Sequence, residues 1–318
     1  MVSSLEQAFA EDTVKRFILQ RLFQGVLLLI IVTSIVFFVG RLTGNPVDLM
    51  LPEDATEEER QDMIERLNLD GTVMEQFQVL VVDAFQGDLG TSIRYRQPVT
   101  EIFFSRLPNT LAMIPAAMFL AMVMAIPLGI LSAMKRGGLI DRTSSTIAVL
   151  GIATPNFWLG IVLIYLFSVT LGWLPSGRMG GIAHYILPTI TLGTFLVAGF
   201  MRLIRSSMLD TLDTEFVKLA RIKGLSEFVV IWKHSLRNAL IPVLSLWGVF
   251  MGGLVTGAIV TETVFAWPGI GRLTYEAVIF RDYPLLQSVI IMDAILILFI
   301  NLLVDILYAY VDPRIRFD

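Results

Sequence analysis

The sequence predicts an all-α membrane protein with six membrane-crossing helices and a small helical cap outside them. Three observations carry this. Hydrophobic residues make up 55% of the 318 and charged residues only 16%, against the roughly 25% charged residues of an average soluble domain. Mean hydropathy is +0.72. The charges fall in short clusters between long apolar runs, the layout of a chain that crosses a bilayer repeatedly.

Charge-free windows locate the spans, since crossing the hydrocarbon core takes roughly 20 apolar residues. Leu22–Gly40 supplies 19, Leu107–Met134 supplies 28, Thr143–Gly177 supplies 35, Met179–Met201 supplies 23 and Asn238–Thr261 supplies 24. The sixth, Leu286–Tyr310, carries Asp293 and Asp305. In the 35-residue window, a span is followed by a loop that leaves at Gly172-Trp173-Leu174-Pro175. The first window follows Lys15, Arg16 and Arg21 as a signal sequence would, but no small-residue cleavage site closes it. It reads as an uncleaved anchor, helix 17–40, after a cytoplasmic tail at 1–16 that is mobile or interfacial.

Basic residues orient the chain, because Lys and Arg accumulate in cytoplasmic loops. They cluster before span one, after span two (Lys135, Arg136, Arg142), between spans four and five, and after span six (Arg314, Arg316). Seven lie between spans four and five, from Arg202 to Arg237. These segments alternate to one side, so both termini are expected in the cytoplasm. Segment 41–106 holds six basic and thirteen acidic residues and is expected outside. There Thr56 before an acidic first turn predicts one short helix over 56–69, edged by Met63, Ile64 and Leu67. Val73–Phe85 predicts another, with a turn at 87–92.

Several chemistries are excluded. Cysteine is absent and only His184 and His234 offer imidazole, so no metal site is expected. His184 reads as an interfacial residue. No phosphate loop of the form G-x-x-x-x-G-K-[ST] occurs, nor H-E-x-x-H. The net charge of −4 and the lack of a basic stripe give no sign of nucleic-acid binding. Spans two to five carry almost no ionisable side chain, which leaves a stand-alone secondary transporter or channel, the alternative reading, without an obvious ion carrier.

The most charged stretch between spans, Asp213–Pro242, lies within loop 202–240. Met208, Leu209, Leu212, Phe216, Leu219 and Ala220 recur at three- and four-residue steps and are expected on one helical face. Gly224 stands where a helix ends and Ser226 where the next is capped. A knob of helix, glycine turn and helix follows. It is either an amphipathic element on lipid headgroups or a surface for a soluble partner; its mixed charge disfavours the lipid.

Here a resemblance becomes specific. Ala220-Arg221-Ile222-Lys223-Gly224-Leu225-Ser226 and His234-Ser235-Leu236-Arg237-Asn238-Ala239-Leu240-Ile241-Pro242 resemble the EAA loop of the permeases of ABC importers. Lys218-Leu219 stand where the general pattern has Glu-Ala. The form is that of the peptide-permease branch. In order along the chain, Gly44-Asn45-Pro46, Gly87–Ser92 with Pro98-Val99, Leu107–Leu111, Gly172–Pro175, Glu262–Phe265, Pro268–Gly271, Asn301 and Asp312-Pro313-Arg314 are similar to the same branch. The chain thus resembles the B-type permease subunit of dipeptide/oligopeptide ABC importers.

The resemblance implies a type I permease core over 107–318, in a bacterial inner membrane. It implies no catalysis and no cofactor on this chain, with ATP and Mg held by two P-loop ATPase subunits. A second, homologous permease and an extracytoplasmic binding protein complete the assembly. Loop 202–240 becomes the coupling loop, with Glu215, Phe216, Leu219, Ala220, Gly224 and Leu225 as the expected ATPase contacts. Phe216 is expected to anchor, Ala220 and Gly224 to permit close approach, and Glu215 to pair with a basic group. Trp267, Pro268, Gly269 and Gly271 are expected at a tight bend with an exposed or half-inserted Trp, serving binding-protein docking or an external gate. Substrates of such permeases range over dipeptides, oligopeptides, glutathione, opines and metal chelates, and no residue here selects among them.

Two further features stay open. Asp293 and Asp305 are twelve residues apart, about 120° around a helix, so they do not share a face. An intramembrane carboxylate is a functional candidate. Asp305 reads as structural, and Asp293 as either path-lining or helix-bonding. On span five, Gly248/Gly252 and Gly253/Gly257 form small-xxx-small pairs suited to packing against the sister permease or to lining the path. Pro115, Pro127, Pro155 and Pro188 lie in or beside spans and can kink them.

Overall fold

The computed structural model describes residues 2–42, 47, 51, 55–66 and 70–311. Among these it is helical, with one isolated bridge, Thr91 to Pro98. The helices are α1 Val2–Leu42, α2 Glu57–Arg66, α3 Val73–Gln86, α4 Val99–Met134, α5 Leu139–Ala153, α6 Asn156–Leu163, α7 Ala183–Leu212, α8 Glu215–Ile222, α9 Leu236–Val264, α10 Ile270–Ile279 and α11 Tyr283–Val311. Five helical stretches are long and apolar enough to cross a membrane: Leu19–Gly40, Val99–Met134, Ala183–Leu212, Glu227–Leu254 and Tyr283–Val304.

The third expected span, in the window Thr143–Gly177, is a bent pair. α5 and α6, the latter continued by the wider turns Ile164–Thr170, meet at 100°. The cause is Pro155. It disfavours the helical conformation of the residue before it, and Thr154 is extended at φ −79°, ψ 120°. A window without charges cannot show such a break. α1 begins at Val2 and runs without interruption into the first span, whose apolar stretch is Leu19–Gly40. Gly44-Asn45-Pro46, Leu67 and Asp312-Pro313-Arg314 lie outside the described residues, as does the side chain of Asp305.

The chain divides into two compact units, one of Met1–Pro108 with Leu273–Leu302 and the other built on Asn109–Arg272. In the first, α1 packs on α11. Gly40 is required there, because a Cβ would collide with the Tyr283 ring, and Tyr283 donates to the Phe37 carbonyl at 3.2 Å. Phe37 and Phe38 in turn pack on Phe77 of α3. α3 starts at a capping box, Thr72 with Glu75, whose hydrogen bonds hold the Glu75 carboxyl below its ordinary value. Thr56 and Glu59 make the same reciprocal bonds before α2.

Loop 87–98 of this unit is fastened to Asp282. Its carboxylate accepts from the Ser92 hydroxyl and the Arg94 amide and caps α11 through the Leu285 amide. Arg94 lies over the Phe280 ring, 3.2 Å from its centre, and Tyr95 donates to Glu276 at 2.7 Å. Asp293 is buried in the same unit.

In the second unit, α4 buries Met113, Ile114, Ala117, Met118, Ala121 and Ala125. Against α7, a Cβ at Gly129 would strike Ile204 and one at Gly193 would press on Ala117. The rings of Phe195 and Phe200 on α7 pack edgewise on Phe250 of α9. Gly248 and Gly252 are buried within the chain itself, whereas Gly253 faces out; the first pair therefore serves packing inside this unit. α7 continues through Pro188 and α9 through Pro242.

Candidate functional site

α7 ends at Leu212 and α8 begins at Glu215, with Thr214 extended between them. This break overturns the expected single face from Met208 to Ala220, because it resets the helical phase. Inward from α8, Val217 and Ala220 pack with Val230 and with Leu212. Outward stand Phe216, Leu219 and Ile222, joined by Leu225 and Phe228; Ile222 is 81% exposed and Phe228 70%. Ala220 is therefore not a contact position for a partner. Its methyl group lets the Val230 turn close onto α8.

The knob is fixed by local chemistry. Leu225 N–H reaches the Ala220 carbonyl at 3.3 Å and Gly224 N–H the Arg221 carbonyl at 2.9 Å, a glycine-closed helix end. Gly224 sits at φ +77° with open space around its α-carbon, so its requirement is conformational. Ser226 occupies the next cap position but its hydroxyl makes no cap bond. Arg221 instead joins the two helical pieces by pairing with Glu227 at 2.8 Å. Lys218 pairs with Glu215 at 2.9 Å, and that carboxylate raises the ammonium pKa. The apolar stripe is thus exposed on an element held by its own buried side. His184 lies elsewhere, at the start of α7, with a buried Nδ1 that finds no partner among the described residues.

The bend after α9 differs from expectation. Trp267 is 0% exposed. Its indole N–H donates to the Asn109 carbonyl at 3.0 Å, and its ring meets Tyr185 edgewise. The Trp is neither exposed nor half-inserted, because the turn folds back over α4. Asn109 returns a bond to the Pro268 carbonyl. Beneath it, Glu262 is fully buried and accepts from the Thr110 hydroxyl at 2.6 Å and the Arg272 amide at 2.9 Å. Thr110 also receives the Ile270 amide. A Cβ at Gly269 would overlap the Glu262 carboxylate, and one at Gly271 would fall 2.6 Å from the Ile259 Cα. Both glycines serve close approach.

A third polar centre escaped the sequence reading. Asp141 at the start of α5 accepts two bonds from Arg205 of α7, at 2.6 and 2.9 Å, plus the Ser132 hydroxyl and the Gly137 amide. It ties the α4–α5 turn to α7. Arg205 was counted only for orientation and Asp141 not at all, and nothing in their spacing pairs them. The described residues hold no group of acidic, His or Cys side chains able to bind a metal.

The fold and this exposed knob define a membrane-embedded transport permease, and comparison with known proteins agrees. Residues 125–317 match the family described as binding-protein-dependent transport system inner membrane component, and the chain belongs to it. It is 37% identical over 313 residues to the oligopeptide transport system permease protein AppB of Bacillus subtilis (strain 168), covering 95% of this chain and 99% of that one. It is 41% identical over 302 residues to the glutathione transport system permease protein GsiC of Escherichia coli (strain K12), with 95% and 99% covered. The dipeptide transport system permease protein DppB of Alkalihalophilus pseudofirmus is 38% identical over 328 residues, with 94% and 98% covered. Among solved structures, the MetNI methionine ABC transporter in an inward-facing conformation superposes with a TM-score of 0.58 at 20% identity, covering 66% of this chain and 96% of that one. That likeness concerns the fold. The relatives are transport subunits, and this chain is one rather than an enzyme.

Proposed function

We infer that the chain is one of two permease subunits in an ATP-driven importer of peptides or peptide-like solutes, and that α8 is where ATPase motion enters the membrane helices. The observation that carries this is the outward stripe Phe216, Leu219, Ile222, Leu225 and Phe228 on a helix whose opposite side is locked to Val230. A rigid projection transmits displacement, whereas a loose loop absorbs it. Glu215, at the exposed start of α8 and paired with Lys218, is the carboxylate offered to a basic group on the partner. Gly224 and Leu225 close the knob at its far end. Loop 202–240 and both termini are read as cytoplasmic from the basic clusters, in a bacterial inner membrane.

An extracytoplasmic binding protein supplies the substrate on this reading, and segment 41–106, with its exposed acidic α2, offers it a surface. The Trp267–Gly271 turn is a fixed brace at the start of α10, with its Trp withdrawn from any partner. ATP and Mg belong to the ATPase subunits. The peptide class rests on relatives named for oligopeptides, glutathione and dipeptides. The test is reconstitution of the assembled importer in vesicles with labelled di- and oligopeptides. Uptake that requires both ATP and the binding protein is expected. Uptake by this chain alone, driven by an ion gradient, would contradict the reading.

A further inference from the structure

A cleft of about 490 Å³ opens between α1 and the α10–α11 corner, the size of a small-molecule site. Ile35, Val36 and Val39 form one wall; Leu286 and Ile290 form the other, with Arg281 and Gln287 as polar members. Both walls belong to stretches apolar enough to lie in a membrane. Gln287 is 6% exposed, and its amide nitrogen has no hydrogen-bond partner among the described residues. A buried amide donor without an acceptor costs about 1–3 kcal/mol, so an occupant that brings an acceptor is favoured.

We propose that this cleft binds one membrane phospholipid, with its phosphate at Arg281, an ester carbonyl accepting from Gln287, and an acyl chain along Val36, Val39 and Ile290. The vertical order of groups fits. Tyr283 and Gln287 are one helical turn apart, about 6 Å along α11, and Arg281 stands just before the helix begins. A glycerophospholipid likewise sets its ester carbonyls a few bonds below the phosphate and its alkyl chains below those. The apolar walls continue to Ile290, about 10 Å below Tyr283, a third of a hydrocarbon core of about 30 Å. A guanidinium has five N–H donors and can take a phosphate oxygen beside its other contacts. The walls are hydrocarbon where the chain would lie and polar only near the corner, so neither a water-soluble anion nor a wholly apolar molecule satisfies both.

The test uses the assembled importer in membranes containing phosphatidylethanolamine with a diazirine on one acyl chain, and mass spectrometry to locate the adducts. Adducts concentrated on 35–40 and 286–290 are expected. Val39→Trp, which fills the cleft from an exposed position, should abolish them. Gln287→Leu should lower occupancy about fivefold and Arg281→Gln about tenfold, the loss of one neutral and one charge-assisted hydrogen bond. Adducts spread evenly over the exposed faces of α1 and α11, unchanged by Val39→Trp, would mean annular lipid only and overturn the proposal. So would a cross-link from Val39→Cys, made with a bifunctional thiol-to-amine reagent, to the sister permease, which would put a protein helix in the cleft. Each variant is first checked for normal assembly, so a folding failure is not counted.

Discussion

The knob around α8 and the turn from Glu262 to Arg272 both follow a long helix, and both depend on glycine, yet they are built oppositely. In the knob, Gly224 supplies a left-handed backbone angle and is surrounded by open space. Its ion pairs lie on the surface, and its largest apolar side chains face out. In the turn, Gly269 and Gly271 supply room. The carboxylate is buried and bonded, and the Trp is enclosed. One element leaves its apolar side chains exposed; the other encloses them. Substitutions in the turn should therefore damage stability, and substitutions in the knob should damage coupling while stability stays near normal.

Five variants sharpen that contrast, taken site by site in falling order of effect on stability. Gly271→Ala forces a methyl group against the Ile259 backbone, which cannot move as a side chain tip does. A loss of about 3 kcal/mol is expected, seen as a lower melting temperature and poor yield of the assembled complex. Glu262→Ala removes the acceptor for Thr110 and the Arg272 amide, with a loss of about 2 kcal/mol in the same measurement. Glu262→Gln should recover part of it by retaining an acceptor oxygen. Gly224→Ala meets no neighbour but strains the backbone at φ +77°, for about 1 kcal/mol. The double change Phe216→Ser with Leu219→Ser leaves stability within about 0.5 kcal/mol, yet substrate-stimulated ATP hydrolysis should fall about tenfold, as for loss of an interface anchor. Equal loss of stability from the first and last of these would erase the distinction.

The two regions were also unequally legible in the sequence. Charge-free runs located four of the straight spans and the window of the bent third one, since hydrocarbon excludes charge whatever the fold; the last span was legible despite Asp293 and Asp305. The cap at Thr56 and the end of α8 at Gly224 are local chemistry and stand where the pattern put them. What failed depended on contacts far apart in the chain. Phe216 and Ala220 were assigned one face because a three-to-four step assumes an unbroken helix, and the extended Thr214 breaks it. Trp267 was expected near the surface because Trp-Pro-Gly reads as an exposed turn. Its burial comes from Asn109 and Tyr185, which no spacing links to it. Asp141 with Arg205, and Asp282 with Ser92, were invisible for the same reason.

The most direct measurement exploits the lack of cysteine in this chain. A single Glu215→Cys, in the complex expressed with its partner subunits, is treated with a short cross-linker from the cytoplasmic side. An adduct to a nucleotide-binding subunit, changed in yield by ATP, is the predicted result, with none from a cysteine placed at the buried Ala220. A complex that transports with ATP but gives no adduct at Glu215, Phe216 or Leu219 would contradict the assignment of α8 as the point of coupling.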